Sequence, residues 1–169
     1  MKVLIFGASG SGKTYCVETL AKEGHSVFDA DTVNGLHGWY NAEGKKVNFP
    51  QNPTMDFFNN HNFRWNREFL KDFLSTKTNV FLFGLSGNIF EMLDLFDDVY
   101  FLNVPNNILE DRLQHESREN PTGNTLEQRK MIINYAKKMK NKCKKYPKIK
   151  FIDGTLSPQE IFRVISTTN

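Results

Sequence analysis

Residues 7–14 read Gly7-Ala8-Ser9-Gly10-Ser11-Gly12-Lys13-Thr14, directly after the apolar run Val3-Leu4-Ile5-Phe6. A strand delivers the backbone to this point, and the glycines let successive N–H groups turn inward around a polyanion. The helix that follows adds the positive end of its dipole. The spacing is that of a phosphate-binding loop, and the order strand, loop, helix makes the match specific. It implies a nucleoside triphosphate ligand with Mg²⁺. Lys13 would reach the β- and γ-phosphates, Thr14 would hold the metal, and the run from Gly7 to Tyr15 would line the phosphate chain. Val17, Leu20 and Ala21 form the inner face of the following helix, which Gly24 closes.

Working outward, 169 residues that are 39% hydrophobic and 24% charged suit one globular domain with a real core. Met1-Lys2 leads straight into a strand, and no apolar stretch approaches the roughly 20 residues that span a bilayer. A cytoplasmic protein with no membrane partner is therefore expected. Cys16 and Cys143 stand in separate helical patterns, which suits reduced buried thiols better than a disulfide or a zinc site. The net charge of +3 is local in origin, because residues 137–150 carry eight lysines. Only Tyr146 is aromatic in that run, so it reads as a solvated helix face rather than a nucleic-acid surface.

The remaining pattern alternates strands and helices. Val27-Phe28, Val80-Phe81-Leu82-Phe83, Val99-Tyr100-Phe101-Leu102 and Phe151-Ile152 read as strands, and with the first they make five. That alternation predicts a three-layer α/β/α sandwich on a five-stranded parallel sheet. Residues 32–62, rich in Asn, Gly and Pro, read as a long connection with little regular structure, and Phe63–Leu74 as a helix. A short helix is expected over 89–95. Thr125 with Gln128, and Ser157 with Glu160, read as capping boxes. The helix after Thr125 would bury Ile132, Tyr135, Ala136, Met139, Cys143 and Tyr146.

Asp29 and Asp31 close the second strand, at the sheet edge where ligands bind in open α/β folds. Residues two apart in a strand face the same way. Both acids would then face the crevice, one serving the magnesium shell and the other taking the proton of an acceptor hydroxyl. The alternative is that one is merely a turn or cap carboxylate.

These segments resemble the small P-loop kinases of the adenylate and shikimate kinase type. Phe28-Asp29-Ala30-Asp31 is similar to the Phe-x-Asp-x-Asp segment of shikimate kinases, and Phe63-Arg64-x-x-Arg67-Glu68 to their Phe-Arg-x-x-Glu helix start. Gly84-Leu85-Ser86-Gly87 falls at their glycine cluster. Asp29-Ala30-Asp31-x-Val33 is also similar to the acceptor strand of dephospho-coenzyme A kinases. The resemblance implies a P-loop NTPase fold with a lid at about 114–125 and an acceptor-binding insertion at about 32–74. Asp29 would join Thr14 at the metal, and Asp31, Arg64, Gly84 and Gly87 would meet the acceptor. Arg112 resembles the adenine-stacking arginine, Arg118 lies in the lid, and Arg129 resembles the arginine that meets the transferred phosphate.

The arginines also read as plain surface cations, with Arg64 and Arg67 pairing Glu68 and Asp72. Trp39 or Tyr40 would either stack on a flat substrate or form loop core. The implied function is ATP- and Mg²⁺-dependent phosphoryl transfer to a small-molecule acceptor, with Lys13, Asp31, Arg118 and Arg129 catalytic. A nucleoside or nucleoside-monophosphate kinase is the near alternative. A regulatory P-loop NTPase acting on a protein partner is the alternative of another class.

Overall fold

The structure, a computed structural model, describes residues 1–115 and 122–167. Its main sheet contains β1 (Lys2–Phe6), β2 (Val27–Asp29), β6 (Val80–Gly84), β7 (Asp98–Asn103) and β8 (Ile149–Asp153). The strands are all parallel, in the order β2-β6-β1-β7-β8. Between β2 and β6 lie β3 (His37–Tyr40), β4 (Lys46–Val47), α2 (Met55–Asn60), β5 (Asn62–Trp65) and α3 (Arg67–Ser75). The helices of the main layers are α1 (Lys13–Lys22), α3, α4 (Asn106–Gln114), α5 (Leu126–Cys143) and α6 (Pro158–Ser166).

Side-chain alternation along β1 divides the core. Leu4 and Phe6 pack on one face with Leu82, Phe101, Leu70, Leu74 and Met139, while Val3 and Ile5 pack on the other with Phe83, Leu102, Cys16, Leu20 and Ile161. Both faces of the central strands are thus buried, as a covered parallel sheet requires. Each fully buried Leu or Phe contributes about 1.5–3 kcal/mol of hydrophobic stabilisation. A third cluster joins Ala8 of the loop to Leu109, Leu113 and Ile132, seating α4 and α5 against the phosphate loop. Among the described residues no helix is long and apolar enough to cross a membrane.

Four sequence expectations are corrected. Residues 32–62 are not unstructured: β3, β4 and β5 form a second, antiparallel sheet in the order β4-β3-β5. Trp39 makes this possible by packing against Phe49, Phe57, Phe58 and Phe63, with ring centroids 5.1–5.9 Å away. It is loop core, as the alternative reading had it. The helix placed at 63–74 begins only at Arg67, where the Asn66 side chain accepts from Phe69 N at 3.1 Å, and residues 62–65 are strand. The helix placed at 89–95 is two 3₁₀ turns, Ile89–Glu91 and Leu93–Leu95. Of the two capping boxes, Ser157 and Glu160 close reciprocally, but Gln128 turns its side chain elsewhere.

Candidate active site

The site sits where β1 ends. Gly12 holds φ at +94°, a conformation open to glycine, and starts α1 without a side-chain cap. Uncapped helix N-termini of this kind receive anions. Lys13 Nζ turns back over the loop and donates to Gly7 O at 2.9 Å, Ala8 O at 3.0 Å and Ser11 Oγ at 3.4 Å. The ammonium is thereby held inside the turn that would wrap the phosphates. Tyr15, one residue beyond Thr14, is 64% exposed on the outer side of α1.

Thr14 Oγ1 donates to Asp29 Oδ2 at 2.9 Å, which joins the loop to the end of β2. The other carboxylate oxygen of Asp29 accepts from Asp31 N at 2.9 Å, and Thr32 Oγ1 donates to Asp29 O. Here the strand argument fails. The strand stops at Asp29 because that carboxylate caps the 3₁₀ turn Ala30–Thr32, so Asp31 occupies the turn rather than a second inward strand position. The two acids remain close. Desolvation raises the Asp31 carboxyl above the ordinary aspartate value, Lys13 draws it down, Asp29 adds to the rise and His37 opposes it. Asp31 is open to water on its outer side, so solvent tempers these interactions. His37 Nε2 lies 3.0 Å from Asp31 O, and a carbonyl only accepts, so Nε2 carries the proton.

Arg112 Nη1 donates to Ser11 O at 3.3 Å and to Gly154 O at 3.1 Å. It thereby ties the phosphate loop to the turn after β8. Arg129 grips the carbonyls of Gly123 and Asn124, both at 3.2 Å, in the entry to its own helix. Arg118 lies outside the described residues.

The expected acceptor contacts are arranged differently from the sequence reading. Arg64 pairs with Glu91 at 3.3 Å, and Arg67 forms a two-pronged pair with Asp94, so neither meets Glu68 or Asp72. Tyr40, Asn62, Arg64 and Glu91 line a cleft of about 470 Å³. Gly84 does not offer bare backbone to a substrate. A Cβ there would lie 2.5 Å from Ala30 Cβ and 2.6 Å from Trp65 Cζ2, so close internal packing explains its glycine. Gly87 N donates to Phe63 O at 2.7 Å and ties the cluster to β5.

Two residues escaped the sequence reading and a third was given the wrong element. His37 was legible only as a member of a period-2 pattern in β3, and Trp65, read as an inward residue of the helix over 63–74, ends β5 instead. Asn88, just past the glycine cluster, is buried and brackets Trp65, accepting from its N at 2.9 Å and donating to its O at 3.0 Å.

The parallel order, the loop after β1 and the acid at the end of β2 define an α/β P-loop protein with the fold of the small P-loop kinases. A family model described as an AAA domain matches residues 3–144, and the chain belongs to that family. No curated protein matches the sequence. Among solved structures, the chain is similar to a shikimate kinase from Acinetobacter baumannii in complex with shikimate, at 16% identity and TM-score 0.58, over 98% of this chain and 92% of that one. It is similar to a gluconokinase from Sinorhizobium meliloti 1021, at 13% identity and TM-score 0.54, over 98% and 89%. It is also similar to a deoxyadenosine kinase from M. mycoides with bound dATP, at 14% identity and TM-score 0.51, over 98% and 97%. At such identities the likeness is one of fold.

Proposed function

We propose that the chain is an ATP- and Mg²⁺-dependent phosphotransferase of the cytoplasm that moves the γ-phosphoryl group to a small-molecule acceptor. The observation that carries this reading is the Thr14–Asp29 pair, 2.9 Å apart beside a phosphate-binding loop. A hydroxyl and a carboxylate are hard oxygen donors, suited to Mg²⁺, which keeps most of its remaining positions for water and phosphate oxygens. Thr14 and Asp29 would hold the ion, and when bound it would neutralise charge on the phosphates. Lys13 would leave the loop carbonyls for the β- and γ-phosphates, and Arg112 would cover the adenine.

Asp31 would align the acceptor hydroxyl. The acceptor oxygen bonds to the γ-phosphorus, the bond from that phosphorus to the β–γ bridging oxygen breaks, ADP departs, and the hydroxyl proton passes to Asp31. A carboxyl raised above the ordinary range is a better proton acceptor in such a step. The test is ADP release from MgATP with adenosine, deoxyadenosine, sorbitol, shikimate, gluconate or nucleoside monophosphates added singly. Release that depends on one acceptor supports the reading. Hydrolysis at the same rate with every addition, or with none, replaces it with a regulatory NTPase.

A further inference from the structure

Trp65 ends β5 and carries its indole into the junction between the two sheets. It is 3% exposed, and its Nε1–H is the buried side-chain polar atom without a hydrogen-bond partner among the described residues. An isolated buried donor forfeits its hydrogen bond to water without replacement, a loss native folds seldom leave unanswered. The surroundings sharpen the anomaly. Asn88 bonds both backbone groups of Trp65, Ser86 Oγ donates to Asn88 Oδ1 at 3.0 Å, and Asp29 uses both carboxylate oxygens. Polar satisfaction is thorough there except at this one N–H.

Its position follows from covalent geometry. Nε1 and Cζ2 are both bonded to Cε2, so the N–H lies next to the Cζ2 edge of the indole, the edge that closes on Gly84. Gly84 is in register with Phe6, the last residue of β1 before the phosphate loop. Ala30 stands between Asp29 and Asp31. The indole edge that carries the donor therefore packs at the carboxyl end of β6, the strand between β1 and β2, on the side of the sheet where β2 gives way to the turn holding Asp31. Arg64, the neighbour of Trp65 on β5, faces the other way, toward Glu91.

We infer that Trp65 is a specificity-determining residue whose indole N–H donates to an uncharged oxygen of the phosphoryl acceptor, selecting a neutral hydroxylated molecule such as a nucleoside or polyol. This rests on the phosphotransferase reading above. A carboxylated acceptor is disfavoured because this edge closes on uncharged Gly84, and the acids flanking Ala30 repel a second carboxylate. The basic groups close to Asp31 do not offset this: Lys13 is committed to the loop and, with nucleotide bound, to its phosphates, and His37 is bonded to Asp31 O. The N–H is sealed in this structure, so the contact requires the acceptor to part the small sheet from the end of β6, and pairing the donor recovers the cost of its isolation.

The chain has two tryptophans, Trp39 and Trp65, so its indole N–H spectrum carries two side-chain resonances, which Trp39→Phe assigns. With a non-hydrolysable ATP analogue and Mg²⁺ present, adenosine, deoxyadenosine, sorbitol, shikimate and gluconate are titrated one at a time. A saturable shift of the Trp65 resonance with a neutral probe, and none with shikimate or gluconate, is the expected result. Trp65→Phe keeps a ring in place but removes the donor. It should raise the KM of the responding acceptor about 10-fold or more while nucleotide affinity stays within twofold.

A Trp65 resonance that ignores all five probes overturns the inference. So does one that answers the carboxylated probes as strongly as the neutral ones, or a Trp65→Phe chain that loses nucleotide and acceptor affinity alike. The resonance is read on an unsubstituted Trp65, so the result holds even where Trp65→Phe does not fold. Acceptor-dependent ADP release with a motionless Trp65 resonance sinks this inference and spares the phosphotransferase. A Trp65 shift without ADP release from any probe marks a bound molecule that is no phosphoryl acceptor, and overturns both.

Discussion

Thr14 Oγ1 and Asp29 Oδ2 meet at 2.9 Å across the gap between the first turn of α1 and the end of β2. The contact joins two segments that arrive from opposite sides of the inserted strand β6 in the sheet order. Each residue alone is common, but their meeting beside a phosphate loop is what a metal-bound nucleotide needs. If they act as one unit on the metal, Thr14→Val and Asp29→Asn should each lower turnover about 100-fold or more. The double variant should lose little beyond the worse single one, since residues sharing a task are not additive. Steady-state kinetics on the three variants, with calorimetry of nucleotide binding with and without Mg²⁺, checks this. Fully multiplicative losses would separate the two residues.

Asp31 has a pH signature whose sign is fixed by its raised carboxyl. A group with a higher pKa in the folded chain stabilises it at pH below its unfolded value, and that contribution is lost as pH rises through the folded value. At neutral pH the ionised Asp31 is therefore a net burden on the fold. Asp31→Asn should melt at the same temperature as the parent or higher near pH 7, while phosphoryl transfer falls and nucleotide affinity persists. Melting curves from pH 4 to 8 should converge at the acid end. A clear loss of stability at pH 7 would contradict the assigned sign.

Gly84 tests the packing between the two sheets. Gly84→Ala drives a methyl to within 2.5–2.6 Å of Ala30 and Trp65, neither of which is a flexible side-chain end. Overpacking of this kind costs about 1–3 kcal/mol, read as a lower urea midpoint at unchanged slope. If the acceptor reached bare backbone at Gly84 instead, the same variant would raise the acceptor KM with stability untouched.

Both cysteines should be silent in the folded protein. Cys16 and Cys143 are free and buried, and desolvation pushes their thiols up from 9.0 to about 11 and about 12. The thiolate is the reactive form, so a disulfide-exchange reagent near pH 8 should find no fast-reacting thiol until denaturant is added, when both react. By linkage, stability that rests on the neutral thiols is intact below the unfolded thiol value and is lost as pH climbs through 11. Fast labelling of either cysteine in the native chain would contradict its burial.

How far the sequence alone reached can be argued from these same residues. The phosphate loop and all five parallel strands were legible because each is a local pattern, the strands being short apolar runs closed by glycine, aspartate, asparagine or proline. The small sheet was not, because its strands are only four, two and four residues long. What holds them is Trp39 meeting Phe49, Phe57 and Phe58, contacts that no window along the chain displays. Phe63 and Trp65 did carry a period-2 signal, but it merged with the helical spacing that follows Asn66. At the site, Lys13, Thr14 and Asp29 converge as their order suggested. Asp31 was assigned to a strand because the cap formed by Asp29 is a side-chain event invisible to alternation.

Gln128 gives the last prediction, since its type was noticed and its partners were not. Thr125 caps α5 as expected, but the Gln128 side chain accepts from Gly123 N at 2.9 Å and Asn124 N at 3.1 Å, and donates to Pro53 O at 2.8 Å. It is 4% exposed. One amide thus fastens the inserted segment to the start of α5 across 75 residues of sequence. Gln128→Ala strands a buried donor at Gly123 and the acceptor at Pro53, a loss of about 2–4 kcal/mol by urea unfolding. Gln128→Glu separates the two halves of the role. It can still accept from both N–H groups but offers the Pro53 carbonyl only another acceptor, which repels it. Amide exchange should therefore quicken around β3 to β5 in the glutamate variant while α5 keeps its protection, and quicken in both regions in the alanine variant. Equal exchange patterns for the two variants would mean that the link to Pro53 does not hold the inserted segment in place.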